Sequence, residues 1–461
     1  MIMNIKTYLD YEVILANQAQ PVCFAARFEA LIVTKPRPHP ASFCLVLDRS
    51  GSMHGEPLSK ARQAAQLAVR NLRPDDQFSL VVFDDEARVL IPLQSATQKQ
   101  HFLDVIGQIT PGASTNLTGG WSLGRDELKK AASGCSRRLL LLSDGQLNHG
   151  IIEPEAVRRI VAAGLENHSI RTSCLGFGEH YNEDLMTALS QVTGGQFYDA
   201  DSPERFSAIF DSELEGLQKL AVQNLRLRLR RLEFCEAVQP LGNCPSVTLP
   251  DGSIEFSVGD LVSGESRVMC FQLGVLPLPW LDGQPVVSLQ GERLIELEVL
   301  WDDLGETDLS SRSHVQTIRI QATQDPAEIR QQAEVLPWVA MQKAGKAIDE
   351  ATAQVDKGDA NAAATFLQEA IASLKKYGPA ALVSEAVQQL EKLLAQVRTG
   401  ALSTRDRKLS KYRSHTYRKM SSSELWSAQG PPPSFKQPPP PTPPPPPPVQ
   451  DESSSGQDGK K

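Results

Sequence analysis

Between residues 41 and 220, short apolar runs alternate with stretches of helical periodicity. FCLVLD (43–48) is almost continuously apolar, the pattern of a strand covered on both faces. Over 57–72 the residues Leu58, Ala61, Ala64, Ala65, Ala68 and Leu72 recur at helical spacing. FSLVVF (78–83) predicts a second buried strand. ARVLIPL (87–93) follows after so short a break that it returns as an antiparallel hairpin. The same reading predicts helices over 97–109, 119–133, 154–167, 182–192 and 203–219. It predicts strands at RLLLLSD (138–144), IRTSCLGFG (170–178) and GGQFYDA (194–200). Parallel strands with crossover helices make a doubly wound, mostly parallel α/β sheet of the Rossmann-like kind.

From about residue 221 the period changes to two. Leu225, Leu227 and Leu229 alternate with Arg226, Arg228 and Arg230, a half-buried strand with one charged face. A solvated face is the simpler reading of those arginines, and a charged docking strip the alternative. SIEFSVGDL, SRVMCFQLGVL, LIELEVLWDDLG and VQTIRIQAT follow at spacings that predict an antiparallel β-sandwich over 221–323. Residues 1–40 also read as strands, YEVILA and CFAARFEALIV, but are too few to fold alone. They are expected to complete the sandwich, which makes it discontinuous, with the α/β domain of 41–220 inserted; an edge hairpin on the α/β sheet is the alternative.

Residues 324–400 are rich in Ala and Gln at helical spacing and predict a small helical region: a helix over 326–355, a break at DKGDANA, and two more helices. One helix pair there resembles a single tetratricopeptide unit, which has no neighbours to stack on. The remainder, 401–461, is expected to be a disordered tail. It opens with RDRKLSKYRSHTYRKM (405–420), seven Lys/Arg against one Asp, and 13 of the 32 prolines fall between Pro431 and Pro448.

Composition narrows the function. There are 47 basic and 55 acidic residues, a net charge of −8, so nucleic acid is an unfavoured partner; the 405–419 run reads as a solvated tail, with contact to nucleic acid or anionic lipid the alternative. Mean hydropathy is −0.27 and no apolar run approaches the length of a membrane span. The first 20 residues carry charges where a signal peptide's apolar core would sit, so a cytoplasmic location is expected. Seven scattered cysteines contain no CxxC; reduced thiols are expected, with a Cys235–Cys244 bridge the conceivable exception. No HExxH, GxSxG or GxxxxGK[ST] occurs, GFG (176–178) lacks the third glycine of a dinucleotide fingerprint, and the NHS at 167–169 is an idle glycosylation pattern in a cytoplasm.

The chemistry concentrates in DRSGS, at the end of the first α/β strand. Alternate side chains leaving a strand end can converge, so Asp48, Ser50 and Ser52 supply one carboxylate and two hydroxyls. These are hard oxygen donors suited to Mg²⁺ or Mn²⁺, with Ca²⁺ also admissible. Ligands of open α/β sheets bind at the carboxyl ends of strands, so two neighbouring ends should contribute. The loop GASTNLTGG supplies Thr115, with Ser114, Asn116 and Thr118 as alternatives, and the SDG after the most apolar strand supplies Asp144. The bland reading is that DRSGS only turns the chain or caps a helix.

At these residues the chain resembles the von Willebrand factor A (VWA) domain family, over about 180 residues. DRSGS matches its DxSxS motif, STNL carries its threonine at Thr115, and SDG its second aspartate at Asp144. The resemblance implies a metal-ion-dependent adhesion site in which Ser50, Ser52 and Thr115 are direct ligands and Asp48 and Asp144 often act through waters. It implies a non-enzymatic protein-binding module that captures an Asp or Glu of a partner. The domain order is similar to bacterial VWA proteins of the calcium-activated chloride-channel or inter-alpha-trypsin-inhibitor heavy-chain type. Two alternatives remain: an adaptor of a MoxR-type AAA+ ATPase, and a metal-dependent phosphoester hydrolase, for which no base and cationic clamp are assembled in the sequence.

Overall fold

In a computed structural model the described residues are 3–32, 40–132, 135–144, 146–177, 181–200, 208–210, 212–213, 216–217, 219–242, 244–278, 280–281, 284–285, 291–303, 310–376 and 381–419. Three strands open the chain: β1 (Met3–Leu9), β2 (Tyr11–Leu15) and β3 (Gln20–Ala30). The α/β unit follows as β4 (Ala41–Asp48), α1 (Glu56–Asn71), β5 (Gln77–Phe83), β6 (Ala87–Ser95), α2 (Lys99–Gly107), α3 (Leu117–Leu128), β7 (Ser136–Ser143), α4 (Pro154–His168), β8 (Ile170–Phe177), α5 (Glu183–Gln191) and β9 (Phe197–Ala200). Its strands form one sheet in the order β6-β5-β4-β7-β8-β9, parallel except for the β6 hairpin. The helix expected over 203–219 falls mostly outside the described residues.

The apolar runs of this sheet are explained by its two covered faces. Phe43, Leu45, Leu47, Phe78 and Leu80 pack under α1 and α2. The alternate residues Cys44, Val46, Val81, Leu139 and Leu141 pack under α3, α4 and α5. Helix α3 lies unusually close to the strands because a Cβ on Gly124 would come within 2.6 Å of Val46. Its Trp121 is fully buried and donates from Nε1 to Thr172 Oγ1 at 3.0 Å.

The second half adds β10 (Leu220–Arg231), β11 (Cys235–Pro240), β12 (Ser246–Thr248), β13 (Ile254–Val262), β14 (Ser266–Val275), the short ladder β15 (Trp280–Leu281) with β16 (Gln284–Pro285), β17 (Glu292–Asp303), β18 (Ser310–Thr323) and β19 (Arg330–Gln331). With β1 to β3 these make two facing sheets, β1-β3-β14-β11 and β12-β13-β10-β17-β18-β2-β19. The α/β unit is therefore inserted between two strands of the sandwich. Phe24 stacks on Phe271 at 5.9 Å, and Phe271 meets Phe256 edge-on at 5.0 Å, between the sheets. The arginines of β10 are matched across the strands: Arg228 pairs with Glu255 at 2.8 Å and Glu298 at 2.6 Å, and Arg230 with Glu296 at 2.7 Å. That accounts for the charged face without a docking role.

Four helices complete the described chain: α6 (Leu336–Asp356), α7 (Ala360–Lys376), α8 (Ala381–Thr399) and α9 (Thr404–Lys419). They cover the outer face of the four-stranded sheet, where Cys23, Ala25, Val268 and Cys270 meet Val339, Ala344, Ile348 and Leu367. Two expectations need correction. The helix expected from 326 begins at Leu336, because Arg330 and Gln331 first pair with β2. The expected disordered tail over 401–461 is folded over Thr404–Lys419. Its charges suggested a solvated tail, but they are paired: Arg405 with Asp199 at 2.9 Å, Arg418 with Asp349 at 2.9 Å, and Arg407 with Glu183 and Asp356. Tyr412 and Tyr417 are buried. Residues 420–461, with the proline runs, lie outside the described residues. All seven cysteines are free, including Cys235 and Cys244.

Candidate functional site

The carboxyl ends of β4, β5 and β7 lie level, with Asp48 opposite Phe83 and Leu47 opposite Leu142 in the registers. The loops that leave β4 and β7 are joined, on the same side of the sheet, by the loop that connects α2 to α3. In the first, Asp48 is fully buried; its Oδ1 accepts from the Ser50 amide at 2.8 Å and its Oδ2 from Ser143 Oγ at 2.6 Å. The Ser50 and Ser52 hydroxyls are 3.1 Å apart. Ser50 is buried, whereas Ser52 is exposed at the mouth.

The second loop is zipped to the first by backbone. Gly51 N donates to Ala113 O at 2.8 Å and Gly112 N to Arg49 O at 2.6 Å. This brings Thr115, only 1% exposed, beside the DRSGS turn. Its amide donates to Asn148 Oδ1 at 2.6 Å, and its carbonyl accepts from His149 N at 3.2 Å. Its hydroxyl makes no hydrogen bond among the described residues. The alternatives in the same loop are differently placed. Asn116 caps α3, accepting from Gly119 N at 3.0 Å, Thr118 Oγ1 bonds to Asn116 at 3.3 Å, and Ser114 N is held by Asp85 at 2.6 Å.

The third loop begins at Asp144, whose Oδ1 accepts from Gln146 N at 3.0 Å. Its carbonyl accepts from Asn182 N at 2.6 Å, so the N-cap of α5 is tied to the same corner. The structure thus brings together all five residues singled out in the sequence, Asp48, Ser50, Ser52, Thr115 and Asp144. Their supports carry no motif: Ser143, Asn148, Asn182 and the Arg49–Asp84 ion pair at 2.5 Å. Ser143 is recognisable only once β7 is known to pair with β4, which sets it beside Asp48.

Electrostatically the corner is short of positive charge. Burial pushes the Asp48 carboxyl up to about 6; bonds from Ser143 and Ser50 pull it down, and the Asp144 charge pushes it up again. The nearby Arg49 is already engaged by Asp84. A divalent cation would act in the opposite sense and favour both ionised carboxylates. Among the described residues no three His, Cys, Asp or Glu side chains gather at one point. A cation in this corner would rely on two carboxylates and three hydroxyls, and the uncommitted Thr115 hydroxyl fits that demand.

Comparison with known proteins places this geometry. Residues 43–212 match the von Willebrand factor type A domain. An uncharacterized protein of Synechocystis sp. is 27% identical over 341 residues, covering 72% of this chain and 78% of its own length. Inter-alpha-trypsin inhibitor heavy chain H4 of Bos taurus is 27% identical over 166 residues, 34% of this chain and 18% of that protein. Among solved structures, a von Willebrand factor type A protein from Catenulispora acidiphila superposes with a TM-score of 0.67 at 17% identity, covering 84% of this chain and 89% of that one. The α/β unit matches the VWA domain model and has the VWA fold, joined to an additional antiparallel sandwich. Such domains are commonly metal-dependent protein-interaction modules. No helix among the described residues is long and apolar enough to cross a membrane.

Proposed function

We propose, from a chain that carries a von Willebrand factor type A domain over residues 43–212, a non-enzymatic module that binds a partner protein through a divalent cation. Asp48, Ser50, Ser52, Thr115 and Asp144 would hold Mg²⁺ or Mn²⁺. The observation that carries this reading is the convergence of three loops on one corner that holds two carboxylates and three hydroxyls. With neutral hydroxyls as the direct donors, a bound cation would keep a coordination position that an Asp or Glu of the partner fills with a charge-assisted contact. The chain's own task is to fix the donors: Ser143 orients Asp48, Asn148 and His149 clamp Thr115, and Asn182 clamps Asp144. A MoxR-type AAA+ ATPase is one class of partner such a site would serve. We place the protein in the cytoplasm, where its buried thiols, pushed up by burial, serve as small apolar groups.

Calorimetric titration of the full chain with Mg²⁺ tests the reading. A single weak site is expected, tightened when a carboxylate-bearing partner is present, because the two ligands are coupled in both directions. Asp48→Ala and Asp144→Ala should abolish the heat while the circular dichroism stays unchanged. An unaltered titration in both variants would move the cation elsewhere.

A further inference from the structure

The loop that clamps Thr115 continues into a feature that cation binding does not use. Ile151 and Ile152 stand 43% and 56% exposed, immediately after His149 and Gly150. Scattered apolar residues on a surface are ordinary, but an adjacent pair of large ones beside a binding corner is not. The other adjacent pair among the described residues, Leu31 and Ile32, abuts residues 33–39, which are not described.

Both ends of this loop are pinned. At one end His149 N bonds to Thr115 O at 3.2 Å, and Gly150 sits at φ 74°, where a Cβ would collide with the Asn116 amide. At the other end Glu153 caps α4, accepting from Glu155 N at 3.2 Å and Ala156 N at 2.5 Å. Ile152 is three residues from the His149 amide, at most about 11 Å of chain. The isoleucines are therefore held on the rim of the candidate cation corner, within reach of the next residues of any segment whose carboxylate enters it.

We propose that Ile151 and Ile152 form an apolar shelf that reads the partner's sequence beside its carboxylate. This rests on the cation-dependent reading above. A cation by itself accepts any exposed Asp or Glu, so discrimination needs a second contact. An aliphatic or aromatic side chain within three residues of the acid would cover the shelf and keep water from the carboxylate. The charges around the corner disfavour a run of acids: Asp85 is exposed and holds the Ser114 amide, and Glu153 caps α4 directly after the shelf. The partner segment is thus one acid with an apolar neighbour, not an acidic tract.

A random-peptide phage library panned on the full chain in Mg²⁺ and eluted with EDTA tests the proposal. The eluted peptides should share one Asp or Glu with a large apolar residue within three positions. Panning on Ile151→Ser/Ile152→Ser should keep the acid and lose the apolar preference. A peptide from the first pool should bind this double variant about tenfold more weakly, as expected when a buried apolar contact is lost. Acids without apolar neighbours, or an apolar preference that persists on the double variant, would overturn the shelf and leave the cation reading standing. A library from which EDTA releases nothing above an Asp48→Ala control would overturn both.

Discussion

Ser143 shows how much of the site depends on one hydroxyl outside the motif. It donates to Asp48 Oδ2 at 2.6 Å in a place with no water-exposed alternative. Ser143→Ala leaves that oxygen without its partner, at a cost of about 1–3 kcal/mol. Urea melts without cation should report that loss, and Mg²⁺ should restore part of it by supplying charge to the same carboxylate. A variant as stable as the parent, with unchanged Mg²⁺ affinity, would show that Asp48 is oriented by Ser50 alone. The five candidate donors could be named from motif and spacing because they share one chemistry, hard oxygen donors, at two strand ends and one loop ahead of a helix. Their supports could not, because Ser, Asn and Arg are common residues whose role depends on which strands are neighbours.

Elements behave the same way. Periodicity read the parallel sheet and the sandwich well, since burial on one or two faces writes a period of two or a continuous apolar run into the chain. It failed where an element is held by charges. Helix α9 carries Leu409, Tyr412 and Tyr417 as its large apolar side chains among seven Lys/Arg, a pattern without a visible apolar stripe. It docks through partners far away in sequence, including Lys408 Nζ over the Tyr181 ring at 3.6 Å and Ser414 Oγ to Gly345 O at 2.8 Å. Element α3 makes the complementary point, because its position depends on absent atoms. Gly124→Leu would drive a side chain into Val46 and Leu139, so it should lower stability by about 1–3 kcal/mol or more, read as a lower urea midpoint. A midpoint equal to the parent's would mean that α3 can lift away from the sheet freely.

On the scale of the whole molecule, α9 ties the VWA domain to the rest. It touches α5 and β9 on one side and α6 and β14 on the other, so its ion pairs bridge parts that are also joined by the Arg171–Asp260 pair at 2.7 Å. A chain ending at residue 400 should therefore melt well below one ending at 419. The gap should narrow in high salt, since several of these pairs are partly exposed and screened. Acid should loosen the same junction. His415 is 3% exposed and its imidazole is held down to about 3, first by burial and then by Lys419 and Arg418. In the unfolded chain it takes a proton near its ordinary value of about 6.5, whereas in the folded chain it stays neutral. The unfolded state then binds more protons below that pH, so its contribution to stability is fully present above about 6.5 and falls by roughly tenfold in the folding equilibrium per pH unit below it. Chemical denaturation of the parent and of His415→Gln at pH 7 and pH 5 isolates that contribution from other titrating groups. The parent should lose more stability on acidification than the variant. Equal losses would mean that His415 is open to solvent and that α9 is not sealed against the VWA domain.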